Sequence, residues 1–182
     1  MGRRSLRLST LTCISACALL LLPAATAVGD GNFAERVEGT WEGANSKEEA
    51  RRNINAEIEK VVGKMFFVKR PFARNELKDA TEPCDQIAIE TGDEHLSITC
   101  DDRKPAVTEG KGTPRNWVSK EGEKYTMSQK LEDDRIVETF DGDSGIRTNT
   151  YRLTDNETLV MKVKIKSGQL PVPLTYSRTF EK

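Results

Sequence analysis

The spacing of apolar residues divides the chain into a helical part and a longer part of alternating pattern. Between Ser46 and Gly63, apolar residues recur every three or four positions, which predicts an amphipathic helix. Ser46 with Glu49 forms a capping-box pattern that begins this helix, and Gly63 is well placed to end it. From Cys84 onwards apolar and polar residues alternate, which predicts strands with one buried face and one wet face.

The alternating stretches are short, and Gly, Asp, Asn and Ser mark the turns between them. Predicted strands after the helix are 85–91, 95–101, 105–109, 114–119, 123–131, 134–141, 146–154, 158–166 and 173–181. A further strand is predicted around 37–44, before the helix. An antiparallel run of this length removes its exposed edges by closing on itself. We therefore predict a mainly β fold, a single up-and-down antiparallel β-barrel of about ten strands with a short helical lid between strands 1 and 2. A two-sheet sandwich is the alternative.

Large apolar and basic residues are interleaved directly after the helix. Phe66, Phe67, Arg70 and Phe72 lie in this stretch, and Pro71 prevents one uninterrupted helix from passing through it. A helix–turn–helix and a helix followed by an extended arm both fit. The favoured interpretation is that the phenylalanines close the core, and contact of the lid with a membrane is the alternative. The four residues other than Pro71 are the candidate portal and lid residues.

The N-terminal residues have the pattern of a targeting segment. Three arginines within the first seven residues precede a mostly apolar run and a small-residue cleavage site that ends at Ala27. We predict a signal peptide over 1–27, a barrel domain over 28–182, and a secreted or periplasmic protein. A lipoprotein attached through Cys17 is less favoured, because apolar residues follow this cysteine where a mature lipoprotein usually continues with polar ones.

Charge and cysteine content narrow the function classes. Removing residues 1–27 takes three of the 28 lysines and arginines and none of the 29 acidic residues, which leaves a net charge of −4. This balance gives no support to a nucleic-acid partner. Cys84 and Cys100 then remain, and two cysteines in an exported domain indicate one disulfide, with two buried thiols as the alternative. One histidine and no Cys-x-x-Cys pair predict neither a metal site nor a cofactor.

The disulfide constrains the first hairpin after the helix. Pairing Ile87 with Ile98 matches the apolar faces of the two strands. This register places Cys100 opposite Asp85 and not opposite Cys84. Either a bulge repairs the register, or Cys84 lies just before the strand and reaches across.

The last strand carries one charge among the apolar positions of its inner face. Arg178 alternates there with Leu174, Tyr176 and Phe180. A buried charge without a partner is costly, so the guanidinium needs one. It stacks on Trp41 and closes the barrel, or it binds the carboxylate of a ligand. The first interpretation is slightly favoured, and the two are compatible.

Three stretches in this order resemble the calycin superfamily of lipocalin-like proteins. They are VEGTW at 37–41, FVKR at 67–70 and TYSRTF at 175–180. Together with the lid and the strand count, they are closest in layout to the fatty-acid-binding and cellular retinoid-binding proteins. The resemblance spans nearly the whole chain after the signal peptide. Members of that family are mostly cytosolic and lack the signal peptide and the disulfide predicted here.

The resemblance implies that a terminal arginine and a tyrosine two residues later hold a ligand carboxylate at the barrel bottom. Arg178 matches the arginine, but Phe180 stands in place of the tyrosine, and Tyr176 is the candidate substitute. A second internal arginine of the family aligns with Asn149, and Arg147 lies one same-face step away. Both departures weaken the transfer of fatty-acid specificity.

The leading hypothesis is an exported, non-catalytic binding protein for a small hydrophobic, fatty-acid-like ligand, with a carboxylate as a candidate head group. The candidate ligand-binding residues are Arg178, Tyr176, Phe180, Trp41, Arg147 and Tyr125. The alternative is a protein-binding module of the cell envelope, an inhibitor or scaffold with a filled barrel. An enzyme is disfavoured because nothing in the sequence pairs a nucleophile with a base. The sequence leaves the oligomeric state open.

Overall fold

The computed structural model describes residues 32–154 and 157–182, which contain ten strands and three α-helices. The strands are β1 Gly39–Gly43, β2 Gln86–Gly92, β3 His95–Cys100, β4 Ala106–Thr108, β5 Arg115–Val118, β6 Lys124–Leu131, β7 Ile136–Gly142, β8 Gly145–Leu153, β9 Leu159–Lys166 and β10 Leu174–Glu181. The helices are α1 Phe33–Val37, α2 Lys47–Val62 and α3 Arg70–Ala80, with a 3-10 turn at Phe67–Lys69. The predicted signal peptide and Cys17 lie outside the described residues.

All ten strands belong to one antiparallel sheet in the order β4-β3-β2-β1-β10-β9-β8-β7-β6-β5. The first strand pairs with both β2 and β10, so the sheet curls round and joins its early strands to its last one. The predicted up-and-down barrel is confirmed, with α2 and α3 between strands 1 and 2. A single sheet excludes the two-sheet sandwich.

The barrel is nearly closed, and the seam lies between β4 and β5. Side chains of β5 reach the main chain beside β4, where Arg115 Nη1 donates to Val107 O at 3.1 Å and Trp117 Nε1 donates to Pro105 O at 3.2 Å. Main-chain bonds join residues 110–112 to the far end of β6, including a 2.8 Å bond from the Leu131 amide. The two edge strands are therefore brought together largely by side chains.

The lid is a helix–turn–helix. Ser46 Oγ accepts from the Glu49 amide at 3.3 Å, and Gly63 follows the last residue of α2, as predicted. Pro71 lies in the first turn of α3, where its missing N–H costs nothing. The apolar face of α2 is buried against the rest of the fold through Ala50, Ile54, Ile58, Val61 and Val62. Across the described part of the chain, no helix has the length and apolar character needed to cross a bilayer.

The segment before β1 differs from the prediction of a strand from residue 37. It forms the short helix α1, which the Asn32 side chain caps, and Phe33 and Val37 are buried one helical turn apart. The strand begins at Gly39, which has a φ of 120° that favours glycine. Trp41 ties the two elements together, since its Nε1 donates to Val37 O at 2.8 Å.

The predicted register of the β2–β3 hairpin is wrong by two residues. Ile87 lies opposite Cys100, and Ile98 lies opposite Ile89, two residues after the partner that was predicted for it. The turn contains two residues, so Gly92 lies opposite His95 and the ladder continues to both strand ends. A shift of two keeps the same side chains buried, which is why matching the apolar faces does not detect it.

Cys84 and Cys100 form the predicted disulfide, with a Cα–Cα distance of 5.5 Å. Cys84 precedes β2 and reaches across from outside the strand, which decides between the two arrangements considered above. The chain here is held by Asp101, whose Oδ1 accepts from the amides of Asp85 and Gln86 at 2.7 and 2.9 Å. The end of the lid is thereby fixed to β3.

Candidate ligand-binding barrel

Arg178 lies at the place where the lid joins the barrel. Its side chain is buried, and its two terminal nitrogens donate to Cys84 O and, at 3.3 Å, to Asn45 O. Asn45 precedes α2 and Cys84 follows α3, so these carbonyls belong to the two connections of the lid. Arg178 therefore holds both ends of the lid at once.

A glycine provides the room for this arrangement. A Cβ at Gly43 would lie 2.8 Å from Nη2 of Arg178 and 3.2 Å from the Asp85 carbonyl oxygen. Burial lowers the pKa of the Arg178 guanidinium, and the negative charges of Asp85 and Asp101 oppose that shift. The charge is thus partly balanced by acids outside the barrel wall.

The cation that stacks on Trp41 is Lys182, and the prediction that Arg178 does so is wrong. Lys182 Nζ lies 4.7 Å from the centre of the Trp41 ring, whereas the Arg178 guanidinium lies 5.1 Å from the centre of Phe180. The pairing of β10 with β1 explains the difference. Glu181 lies opposite the residue after Trp41, so the residue that comes level with Trp41 is Lys182. Arg178 is consequently displaced along the strand towards the lid connections.

Shallow, half-open grooves lie at the surface near Tyr176 and near Trp41. The groove between α2 and β10, of about 300 Å³, is lined by Asn53, Ile54, Glu57, Thr175, Tyr176 and Ser177. The groove beside Trp41, of about 330 Å³, is lined by Arg36, Trp41, Glu157, Thr158, Glu181 and Lys182. Of the predicted binding residues, Tyr176 therefore lines the first groove and Trp41 the second, while Phe180 is fully buried.

Tyr125 and Arg147 lie together at the lid end of the barrel, in a group we call the aromatic mouth. The rings of Trp117, Tyr125 and Phe140 contact one another, with centroids 5.3 to 6.0 Å apart. Arg147 lies opposite Phe140 in the ladder, and its Nη1 donates to the carbonyl of Ala80 at the end of α3, at 3.0 Å. All four side chains are half-buried. Trp117 was not among the predicted site residues.

A cluster of polar side chains lies inside the barrel beside the aromatic mouth. Its centre is Glu138 on β7, which is 2% exposed. One carboxyl oxygen accepts from Gln129 Nε2 at 2.8 Å. The other accepts from Asn149 Nδ2 at 2.8 Å and from the Tyr151 hydroxyl at 2.9 Å. Side chains from both strands that flank β7 thus converge on one acid.

The polar cluster extends to the seam and to the aromatic mouth. Gln129 Nε2 also donates to Ala106 O at 3.1 Å, and Gln129 Oε1 accepts from the Thr108 hydroxyl at 2.8 Å. At the other end, Asn149 Oδ1 accepts from Arg147 Nε at 3.0 Å. The cluster therefore links the edge strand β4 to the half-buried arginine at the lid end.

Burial controls the ionisation of this cluster. It raises the pKa of the Glu138 carboxyl, and the hydrogen bonds from Asn149, Gln129 and Tyr151 reverse only part of that shift. Burial and the neighbouring Glu138 charge hold the pKa of Tyr151 well above its usual range, so this phenol keeps its proton. The protein thus keeps an acid where the charged form is disfavoured.

Glu138 was not among the predicted site residues. The signal was present in the alternation, since Glu138 lies two residues from Ile136 and from Phe140, and Gln129 lies two residues from Met127. Each polar residue occupies an inward position on its strand. The alternation of inward and outward positions along the strands therefore identifies the members of the cluster, provided that residue type is left aside.

The lid phenylalanines are exposed, so the prediction that they close the core is wrong. Phe66, Phe67 and Phe72 are 68%, 67% and 65% exposed, and Val68 beside them is 64% exposed. Arg70 donates to two main-chain carbonyls of the same turn, at 2.9 and 3.0 Å, and so fixes its shape. The buried face of α2 already fills the space beneath, which leaves these side chains in solvent.

No protein-family model matches this chain, and no curated protein sequence is similar enough to match it. Solved structures do match. The REP1-NXSQ fatty acid transporter is 16% identical, with 82% of this chain and 97% of that chain covered and a TM-score of 0.51. Lipid binding protein 8 of Caenorhabditis elegans is 15% identical over 81% and 96% of the two chains, with a TM-score of 0.50.

A fatty acid binding protein of Schistosoma mansoni, solved in complex with arachidonic acid, is 11% identical over 82% of this chain and 98% of its own, also with a TM-score of 0.50. The chain shares the barrel fold of these structures and is calycin-like in its fold. At these identities the likeness concerns the fold, and it confirms the resemblance seen in the sequence at that level. The barrel of this chain differs chemically from the one expected from the sequence, because the residue at the centre of its buried polar cluster is an acid.

Proposed function

We propose that this chain is an exported, non-catalytic binding protein that holds a small hydrophobic ligand in its calycin barrel. The observation that carries the proposal is the aromatic mouth of Trp117, Tyr125 and Phe140, half-buried at the lid end of the barrel. Contiguous aromatic surface at the opening of a barrel suits an apolar ligand. The names of the matched structures, a fatty acid transporter and lipid-binding proteins, support the same function.

The carboxylate head group is not retained in this proposal. It depended on Arg178 as an anchor inside the barrel, and two of that guanidinium's donors bind main-chain carbonyls of the lid connections. The proposal therefore concerns the apolar part of the ligand. Its polar end must be compatible with the groups that the barrel wall does present.

The exposed lid turn supports a second element of the proposal, contact with an anionic membrane. Phe66, Phe67 and Phe72 project into solvent beside Lys69 and Arg70. Apolar rings with adjacent cations favour the headgroup region of a bilayer that carries negative charge. Such a contact would place the lid end of the barrel at the source of a hydrophobic ligand.

One experiment tests both elements. Vesicles loaded with Nile red, an uncharged lipophilic dye, are mixed with the protein, and dye fluorescence is followed over time. We expect transfer of about one dye per protein, faster from vesicles of anionic phospholipid than from neutral ones. A triple Phe66→Ser, Phe67→Ser, Phe72→Ser variant should reach the same end point more slowly, because its barrel interior is unchanged.

The outcomes separate the hypotheses. If the wild-type protein takes up no dye from vesicles or from solution, the binding function is wrong. In that case the exposed lid turn favours the protein-binding module, and a pull-down from the envelope fraction should return one dominant partner that the triple variant loses. Equal transfer rates for the wild type and the variant would contradict the membrane contact alone.

A further inference from the structure

Three lysines form a line on the outer wall of the barrel, which the proposed function does not use. Lys162, Lys164 and Lys166 alternate along β9 with residues of its inner face, and all three are exposed. Residues two apart on a strand are roughly 7 Å apart, so this lysine row is about 14 Å long. The wall therefore presents three positive charges along one line.

No acid neutralises the lysine row. None of its members forms an ion pair within residues 32–154 and 157–182. On the two flanking strands the row lies opposite uncharged residues alone, which are Ile146, Thr148, Thr150, Thr175 and Ser177. Lys111, by contrast, has an acid beside it, with Nζ 3.2 Å from Oε1 of Glu94. The lysine row is thus a positive surface that the protein itself leaves unmatched.

The lysine row borders the half-open groove between α2 and β10. Lys164 lies opposite Thr175, which lines this groove. Lys162 lies opposite Ser177, which lines it too. Directly opposed residues of an antiparallel pair have their Cβ atoms about 5 Å apart. The lysine side chains are therefore long enough to contact a molecule that lies in the groove.

The groove offers hydrogen-bonding groups that are free. Asn53, Thr175 and Ser177 make no side-chain hydrogen bond to any other residue that the structure describes. An amide and two hydroxyls both donate and accept hydrogen bonds. The groove also contains one acid, Glu57, whose Oε1 accepts from Lys60 Nζ at 2.6 Å. Its charge is thus matched within α2, and that of the lysine row is not.

The chemistry of the surface distinguishes between classes of anionic partner. Single-stranded nucleic acids stack their bases on aromatic rings or arginine planes. The ladder partners of the lysine row include neither kind of side chain. A bilayer surface favours large apolar side chains beside the cations, and Ile146 is the one such ladder partner. Hydroxyl and amide groups next to cations instead match a sugar chain that carries acidic groups.

We infer that the lysine row and the adjoining groove bind a linear anionic polysaccharide. The acidic groups of the polymer contact the lysines, and its hydroxyl groups exchange hydrogen bonds with Asn53, Thr175 and Ser177. A half-open groove suits a chain, because the chain can enter and leave at its ends. The site lies on the outside of the barrel, so it is independent of a ligand held inside.

The test compares dextran sulfate with uncharged dextran, which has the same sugar backbone. Each polymer carries a fluorescent label and is titrated with the mature protein, while fluorescence anisotropy reports binding. We expect dextran sulfate to bind, with an affinity that falls as sodium chloride is added, and dextran to show no measurable binding. The double variant Lys162→Gln, Lys164→Gln should bind dextran sulfate about tenfold more weakly, because one exposed ion pair contributes about threefold.

A second double variant controls for the change in net charge. Lys111→Gln with Lys120→Gln removes two lysines that are already paired, with Glu94 and with Asp102. It should change the affinity for dextran sulfate by less than about twofold. Ser177→Ala tests the contribution of the sugar, since it should weaken dextran sulfate about fivefold and leave polyacrylate, an acidic polymer without sugar rings, unaffected.

Several results would overturn the inference. Dextran sulfate that does not bind, or equal losses in the two double variants, would show that the lysine row is only a solvated surface. Tighter binding of phosphatidylglycerol vesicles or single-stranded DNA than of dextran sulfate, lost in the Lys162 and Lys164 variant, would assign the row to a membrane or a nucleic acid. Nile red uptake should be the same in all these variants, so the proposed function is judged separately.

Discussion

Two ionisable side chains are buried in the same barrel, and they are stabilised in different ways. Arg178 donates to main-chain carbonyls on the two lid connections, whereas Glu138 accepts from three side chains on neighbouring strands. Main-chain carbonyls are present whatever residue stands there, but side-chain donors depend on residue type. The site of Arg178 is therefore defined by the path of the chain, and that of Glu138 by the sequence of three strands.

This difference predicts where each site is sensitive. Around Glu138, every partner matters, because loss of one leaves a buried polar group without its hydrogen bond. Around Arg178, the critical position is Gly43, because a side chain there would collide with the guanidinium. Substitutions at these two sites should accordingly differ in size and in kind.

The largest effect is expected from Glu138→Ala. It leaves the donors of Gln129, Asn149 and Tyr151 without their buried acceptor, which should lower the free energy of unfolding by about 3–5 kcal/mol. Urea denaturation followed by circular dichroism measures this. Thr139→Ala, the adjacent residue on the outer face, should change it by less than about 1 kcal/mol. Equal losses in the two variants would mean that the cluster does not stabilise the barrel.

A smaller effect is expected from Gly43→Ala. The new methyl group would lie 2.8 Å from Nη2 of Arg178 and must push the guanidinium off the lid connections, at a cost of about 1–3 kcal/mol. Amide hydrogen exchange should rise at Ala44, whose N–H bonds to the Thr179 carbonyl. Gly168→Ala is the matched control, since nothing lies within 4 Å of its added Cβ. Unchanged exchange at Ala44 would show that Arg178 does not hold the lid.

The smallest effect is a pH dependence. Burial raises the pKa of Glu138 in the folded protein above its ordinary value of 4.5, so the folded state binds the proton more tightly than the unfolded state. The stability that this group contributes is fully present below its ordinary pKa and is lost as the pH rises through the raised value. The difference in unfolding free energy between wild type and Glu138→Gln should therefore fall with pH by at most about 1.4 kcal/mol per unit. A difference that rises with pH in this range would reverse the assigned sign.

Most of the architecture follows from alternation and turn residues. Each predicted strand after the lid agrees with the structure to within about two residues, because half-buried strands impose a period of two. The short helix α1 was missed, since five residues with two buried positions fit either period. The lid phenylalanines were misplaced, because hydrophobicity alone does not reveal that α2 already fills the space beneath them.

The site residues were predicted less completely than the fold. Arg178 was conspicuous as a charge in an apolar row, but its partners are main-chain atoms 94 and 133 residues away, which no pattern of side chains reveals. Glu138 was hidden for the opposite reason. An acid in a strand is usually read as exposed, and its inward direction becomes clear only when the neighbouring Gln129 and Asn149 are placed beside it.

The side-chain seam has a consequence for how this barrel can change. The edge strand β4 is joined to β6 through Gln129 and Thr108, and to β5 through Arg115 and Trp117. Single substitutions at these residues alter the joint without breaking a strand ladder. The width of the barrel can therefore change by point mutation along this one line of residues, without a change of fold.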